Sequence, residues 1–275
     1  TGVQTCALPI CIYRTEVLVF SFSLFLLAPP YFVWNGPSKL IFILVCSGIA
    51  LLNNRVFSPK FFLFGLLYFL IYLYIAYKSP INHFGFLALI SVITIYIAKH
   101  KFLQDVFDRY TSFFAITLVP SILVFLLVNF MNVEVPYQII EPYNTAKDYN
   151  YAKYPFMVQG LDFFPFVLPR FHAYYDEPGV LGTISGVILL SNKLNLRNWR
   201  MKVIFVAGLL SFSLAFYVMV LVYGFAFTHL RTKLIGIIIV IASLIIFSNN
   251  PVVNYYIFRR LEFKDGELSG SNRVR

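Results

Sequence analysis

The sequence predicts an all-α polytopic membrane protein with about eight to nine transmembrane helices. Three observations predict it. Apolar residues make up 59% of the 275 and charged residues only 12%, about half the charged share of an ordinary soluble domain. Several runs of about 15 to 20 residues carry no charge, the length that crosses a hydrocarbon core of ~30 Å. Those runs are apolar all round, whereas a transmembrane barrel needs alternation with period two.

The chain divides in order as follows. Residues 1–10 (Thr1 to Ile10) match the in-frame translation of a common sequencing adapter and are set aside from fold reasoning. The absence of an initiating Met and the polar end suggest a fragment at both ends. Residues 11–131 form the N-terminal transmembrane region. Its first apolar run covers 16–34, with Pro29-Pro30 near its end and Trp34 at the interface. Leu40–Leu52 is short, and Phe61–Tyr77, Ile81–Ala98 and Ser112–Met131 follow. Residues 132–177 are a long external loop, polar as far as 169. The C-terminal transmembrane region, 178–248, contains Pro178–Ser191, Val203–Leu230 and Leu234–Ser248. Residues 249–275 start a second external loop that is cut short.

Charge sets the topology. With the long loop outside, the cytoplasmic side receives Arg14, Arg55, Lys60, Lys99, Lys101, Arg109, Lys193, Arg197, Arg200, Lys202, Arg231 and Lys233. The short external loops receive only Lys39 and Lys78, which is the positive-inside asymmetry. Lys193–Lys202 and Arg231–Lys233 then both lie inside, so Val203–Leu230 must cross an even number of times. As one helix it would measure about 42 Å, too long for a single comfortable pass. A hairpin of two short helices within 203–230, turning near Ser211-Phe212-Ser213, meets both conditions; each arm is then shorter than usual, short enough for one to be re-entrant. The tail 249–275 emerges on the same outer side as the long loop.

The net charge of +10 is absorbed largely by those cytoplasmic loops. Without aromatic–basic modules, a nucleic-acid partner is set aside. Cys6, Cys11 and Cys46 have no metal-ligand spacing, and no Cys/His/Asp cluster suggests a metal or cofactor.

The plausible chemistry concentrates in Arg170-Phe-His-Ala-Tyr-Tyr-Asp-Glu-Pro-Gly-Val-Leu-Gly182. Pro178 suits the first turn of a helix, and Glu177 sits at that helix's N-terminus, where the dipole favours its charge. Two readings fit. In one, Glu177 caps the helix and Arg170 is an interfacial anchor. In the other, Arg170 binds an anionic group such as phosphate, and Glu177 orients it or accepts a proton from an attacking hydroxyl. His172 could hydrogen-bond a sugar or phosphate, or simply lie at the interface. Tyr137, Tyr143, Tyr149, Tyr151, Tyr154, Tyr174 and Tyr175 crowd the loop and its exit, either stacking on sugars or forming an aromatic belt. Asp162 and Asp176 are acceptor-binding or solvated. His83, His100 and His229 have no partner spacing.

Arg170-x6-Glu177-Pro178-x-x-Leu181-Gly182 resembles the signature of the O-antigen polymerase/ligase superfamily of bacterial envelope polysaccharide assembly. Leu209-Leu-Ser-Phe-Ser-Leu214 resembles that family's short helix pair with a Ser-x-Ser turn. The tail from Arg260 to Arg273 resembles the start of its second external loop. The likeness covers about residues 110–275. It implies a GT-C-like fold and a metal-independent glycosyltransferase without cofactor. The donor is an undecaprenyl-diphosphate-linked glycan, and the protein is multi-pass in the bacterial inner membrane with its active site on the periplasmic face. Membrane lipid and other polysaccharide-assembly proteins are the further partners. Arg170, Glu177 and Arg273 are then the catalytic positions, and His172, Arg259, Arg260, Tyr174 and Tyr175 bind substrate. Relatives often carry Asn where Glu177 stands, so a carboxylate there is not a general requirement of the family.

The leading reading is therefore a repeat-unit polymerase for O-antigen, capsule or exopolysaccharide. One alternative is the sibling ligase that transfers the glycan to lipid A core. Another, of a different class, is a transporter or flippase of lipid-linked sugars. Transport predicts ionisable residues within spans and inverted repeats; the predicted spans lack internal charges, and no repeat is visible.

Overall fold

A computed structural model describes residues 7–27, 30–33, 98–142, 150–161 and 169–227, with isolated positions between 48 and 71 and two short strands in the tail. The described residues are mostly helical. The runs Leu40–Leu52, Phe61–Tyr77, Ile81–Ala98 and Leu234–Ser248 fall wholly or almost wholly outside them.

The chain separates into two compact units, Thr1–Phe114 and Ala115–Arg275. In the first, helix α1 (Ala7–Leu27) lies against the start of helix α2 (His100–Asn129). Val17, Phe20, Phe102 and Val106 make its core, with Tyr13, Leu24, Ala98 and Leu103 around them. Tyr13 donates to the Asp105 carboxylate at 2.6 Å, and buried Ser21 donates to the carbonyl of Val106 at 3.1 Å. Two expectations change here. α1 starts inside the segment set aside as adapter, so Arg14 and Glu16 fall within the helix rather than at its edge. Glu16 is only 5% exposed, so a carboxyl group lies buried within α1. α2 likewise starts well before the apolar run at Ser112. Phe102, Leu103, Val106, Phe107 and Tyr110 follow a helical period that continues it toward the N-terminus.

The second unit holds the end of α2, a small sheet and three helices. α2 ends on a left-handed Asn132 (φ 50°). The Val133 N–H reaches back six residues to the Leu127 carbonyl at 3.0 Å, a wide closing turn in which Asn132 takes the left-handed conformation that glycine more often supplies. The long loop then departs from the all-helical expectation. Strands β1 (Gln138–Ile140), β2 (Tyr151–Tyr154) and β3 (Met157–Gly160) form an antiparallel meander in the order β1-β2-β3. Pro155 and Phe156 alone join β2 to β3, since Tyr154 pairs with Met157. Proline presets the first turn position, and Phe156 takes the left-handed φ of 67°.

Helices α3 (Pro178–Ser191), α4 (Trp199–Leu210) and α5 (Leu214–Phe227) complete the unit, α3 packing on both others. α4 opens on Asn198, whose side chain accepts the Arg200 N–H at 3.1 Å. By length α4 measures about 18 Å and α5 about 21 Å. They form a hairpin whose turn is Ser211–Ser213. Glycines let the helices approach. A Cβ at Gly182 would collide with Ser213 and lie 2.8 Å from the Ser211 Oγ. One at Gly208 would enter the Phe216 ring, and one at Gly186 would meet the end of Met219. Gly182 and Gly186 thus form a Gly-x3-Gly stripe on α3. Strands β4 (Phe263–Lys264) and β5 (Glu267–Leu268) pair antiparallel in the tail.

Candidate functional site

The corner is built from the turn between α4 and α5. A helix C-terminus leaves carbonyls without intrahelical partners, and each one buried away from water costs stability. Here five consecutive carbonyls are satisfied. Ser211 Oγ donates to the Gly208 carbonyl at 2.7 Å, and the Tyr217 hydroxyl donates to Leu209 at 2.8 Å. The Phe171 N–H donates to Leu210 at 3.0 Å. Arg170 supplies the last two, through Nε to Ser211 at 3.1 Å and through Nη2 to Phe212 at 3.2 Å. Phe212 has a left-handed φ of 45°, which costs a non-glycine residue about 1 kcal/mol or more. The arginine fork holds it there.

Residues 170–177 lie along α2. Phe171 packs on Phe125 with ring centroids 5.1 Å apart, and the Tyr174 hydroxyl is 2.7 Å from Thr117 Oγ1. Val158 of β3 donates to the Ala173 carbonyl at 2.6 Å, with Ala173 at φ 51°. A tight turn follows, the Tyr175 N–H donating to the His172 carbonyl at 3.0 Å. The sheet fixes this segment from the other side. Buried Tyr151 donates to the Asp176 carbonyl at 2.5 Å, and its ring stands edge-on to His172 at 5.7 Å. The hairpin is itself fastened to α2. Ser121 Oγ donates to the Phe156 carbonyl at 2.6 Å, and the amides of Asn129 and Gln159 exchange two bonds of 3.0 Å.

The structure places the sequence-derived site residues differently from one another. Arg170 is half-buried and directs two of its five donors at the α4–α5 turn, so it has a positioning role that neither the anchor nor the phosphate reading contained. Glu177 is the N-cap residue of α3 with Pro178 behind it, but its side chain makes no cap hydrogen bond. The carboxylate is therefore not spent on capping. His172, Tyr174 and Tyr175 are buried, Tyr174 and Tyr175 against each other with centroids 4.7 Å apart. Arg259, Arg260 and Arg273, with Asp162, Tyr143 and Tyr149, lie outside the described residues.

Ser121, Tyr217, Gly186 and Gly208 were not singled out from sequence, and Tyr151 stood only among the loop tyrosines. Only the Gly-x3-Gly spacing carried a local signal; the others act through contacts distant in the chain. Among the described residues no group of three or more His, Cys, Asp or Glu is placed to hold a metal ion. Compared with protein families, with curated proteins and with solved structures, the chain matches none.

Proposed function

We propose that this chain is an integral-membrane glycosyltransferase of the O-antigen polymerase/ligase kind, acting on undecaprenyl-diphosphate-linked oligosaccharide repeat units at the outer face of the bacterial inner membrane. One observation carries the reading. The two described stretches that bear the resemblance, Arg170-x6-Glu177-Pro178 and Ser211-Phe-Ser213, are hydrogen-bonded to each other although 41 and 42 residues separate the bonded pairs. Independent motifs that share one corner are what a composite site requires.

α2 supports the membrane part. Its best window has mean hydropathy 2.4, yet only 33% of that window is buried inside the protein. Ile116, Val119, Leu123 and Leu126 form an exposed apolar stripe on it. A soluble core helix of that composition would be covered; one facing acyl chains would not.

In the proposed reaction an acceptor hydroxyl attacks the anomeric carbon of the lipid-linked sugar. The bond from that carbon to the diphosphate oxygen breaks, and the diphosphate lipid leaves with the electron pair. The hydroxyl proton passes to the Glu177 carboxylate. Arg170 holds positive charge beside the turn and stabilises the charge that develops on the leaving diphosphate, with Arg259, Arg260 and Arg273 as further cations from the tail.

The test is release of undecaprenyl diphosphate from the native lipid-linked glycan pool by the purified protein in bilayers containing a chelator. Release coupled to lengthening of the lipid-linked glycan supports polymerisation, and release coupled to glycan on lipid A core supports ligation. Absence of release with a properly inserted protein overturns the proposal.

A further inference from the structure

The bonds to α2 fix how far along that helix the polar segment reaches. Asn129, at the helix end, holds Gln159. Ser121 holds the carbonyl of Phe156, and Thr117 meets Tyr174. From Asn129 back to Ser121 is eight residues, about 12 Å at ~1.5 Å rise per residue. From Asn129 back to Thr117 is twelve, about 18 Å. The hairpin length agrees: Phe156 to Gln159 is three strand residues, about 10 Å. The β2–β3 hairpin and residues 170–175 therefore run back along the apolar half of α2 instead of standing off its end.

Ser121 itself is fully buried, while Phe156 at the hairpin tip is 59% exposed beside Pro155. At about the same height α2 exposes Leu123, at 56%. Two large apolar side chains are thus exposed at one level along α2.

We infer that the β2–β3 hairpin is a re-entrant wedge whose Pro155-Phe156 tip is seated in the acyl region of the outer leaflet. The inference rests on the membrane reading above. It places the Arg170–Glu177 corner below the headgroups, so a polyprenyl diphosphate would meet the arginine without its chain leaving the bilayer. The strand pairing makes this depth acceptable: the hairpin's backbone groups pair between β2 and β3, and the tip carbonyl has Ser121.

The experiment uses single cysteines in a full chain whose Cys6, Cys11 and Cys46 are replaced by serine. Phe156→Cys, Leu123→Cys and Glu134→Cys are labelled with an environment-sensitive fluorophore and reconstituted in phosphatidylcholine–phosphatidylglycerol vesicles. Spin-labelled lipids then quench from a shallow or a deep acyl position. The inference expects blue-shifted, lipid-quenched emission at Phe156→Cys, similar to that at Leu123→Cys, and red-shifted, unquenched emission at Glu134→Cys. If Leu123→Cys is quenched while Phe156→Cys is not and reacts with an impermeant maleimide, the wedge is overturned and the membrane reading stands. If Leu123→Cys is not quenched, the membrane reading falls and the wedge with it. Should Phe156→Cys fail to give a monodisperse protein, Pro155→Cys, the exposed neighbour, is read by the same criteria.

Discussion

The side-chain amides of Asn129 and Gln159 face each other in reverse, each donating to the other's oxygen at 3.0 Å. One sits at the last turn of α2 and the other on β3, so the pair joins the helix end to the sheet. Replacing Gln159 by Leu takes from the Asn129 amide both of its bonds to the sheet, leaving only its bond to the Phe125 carbonyl, and is expected to cost about 1 kcal/mol. Replacing both by apolar residues should cost less than the two single changes added together, because neither partner is then orphaned. A double-mutant cycle by thermal unfolding measures the coupling. Additive losses would show that the two amides do not act as a pair.

Arg170→Lys keeps the charge but cannot direct Nε and Nη2 at neighbouring carbonyls, since an ammonium lacks the planar fork. Hydrogen exchange across 208–217 is expected to rise in this variant nearly as much as in Arg170→Ala, with a stability loss of about 2 kcal/mol. If Lys restored full protection at the turn, charge alone would account for the contact.

Glycine substitutions should rank by what they strike. Gly182→Ala meets the Cβ of Ser213, and Gly208→Ala meets the ring of Phe216 at 2.6 Å or closer; neither neighbour moves easily. Each is expected to destabilise by about 1–3 kcal/mol. Gly186→Ala meets the flexible end of Met219 and should be milder. Adding Ser213→Gly to Gly182→Ala should recover part of the loss in a thermal melt, because the atom being struck is gone.

Tyr151→Phe removes a single hydroxyl, the donor to the Asp176 carbonyl. A loss of about 1 kcal/mol is expected. Tyr151→Ala also empties a fully buried volume and should cost about 3–5 kcal/mol. Equal effects of the two would mean the hydroxyl dominates and the ring packing contributes little.

Glu177→Gln tests the proposed proton acceptor. The substitution is nearly isosteric and removes no cap bond from α3, so the protein should stay folded, while release of undecaprenyl diphosphate should slow by about 100-fold or more. Full release would remove Glu177 from the mechanism and leave the arginines as the chemical core.

The sequence was most legible where local rules act. Proline at the first turn of α3 and a continuous apolar run set that helix from Pro178 to Ser191, and loop charges demanded a reversal in the stretch where α4 gives way to α5. The strands are hidden in sequence because Tyr-Ala-Lys-Tyr-Pro-Phe-Met-Val-Gln-Gly lies within a polar loop. Read with period two around a Pro-containing two-residue turn, it does carry a hairpin signal. The start of α2 escapes a reading by unbroken apolarity, because residues 100–111 are amphipathic. Arg170 was noticed for its charge, but what it binds is 41 residues away. No spacing rule reaches that far, and a guanidinium on backbone carbonyls leaves no trace in the composition.

The satisfied carbonyls at the α4–α5 turn also impose an order on assembly. Three of the five receive donors from residues 170 and 171, which leave the ribosome well before the turn does. The docking station therefore exists before the hairpin that needs it, and the second arm can be threaded into place against a prepared partner. A chain that made the hairpin first would have to carry those bare carbonyls until its anchor arrived.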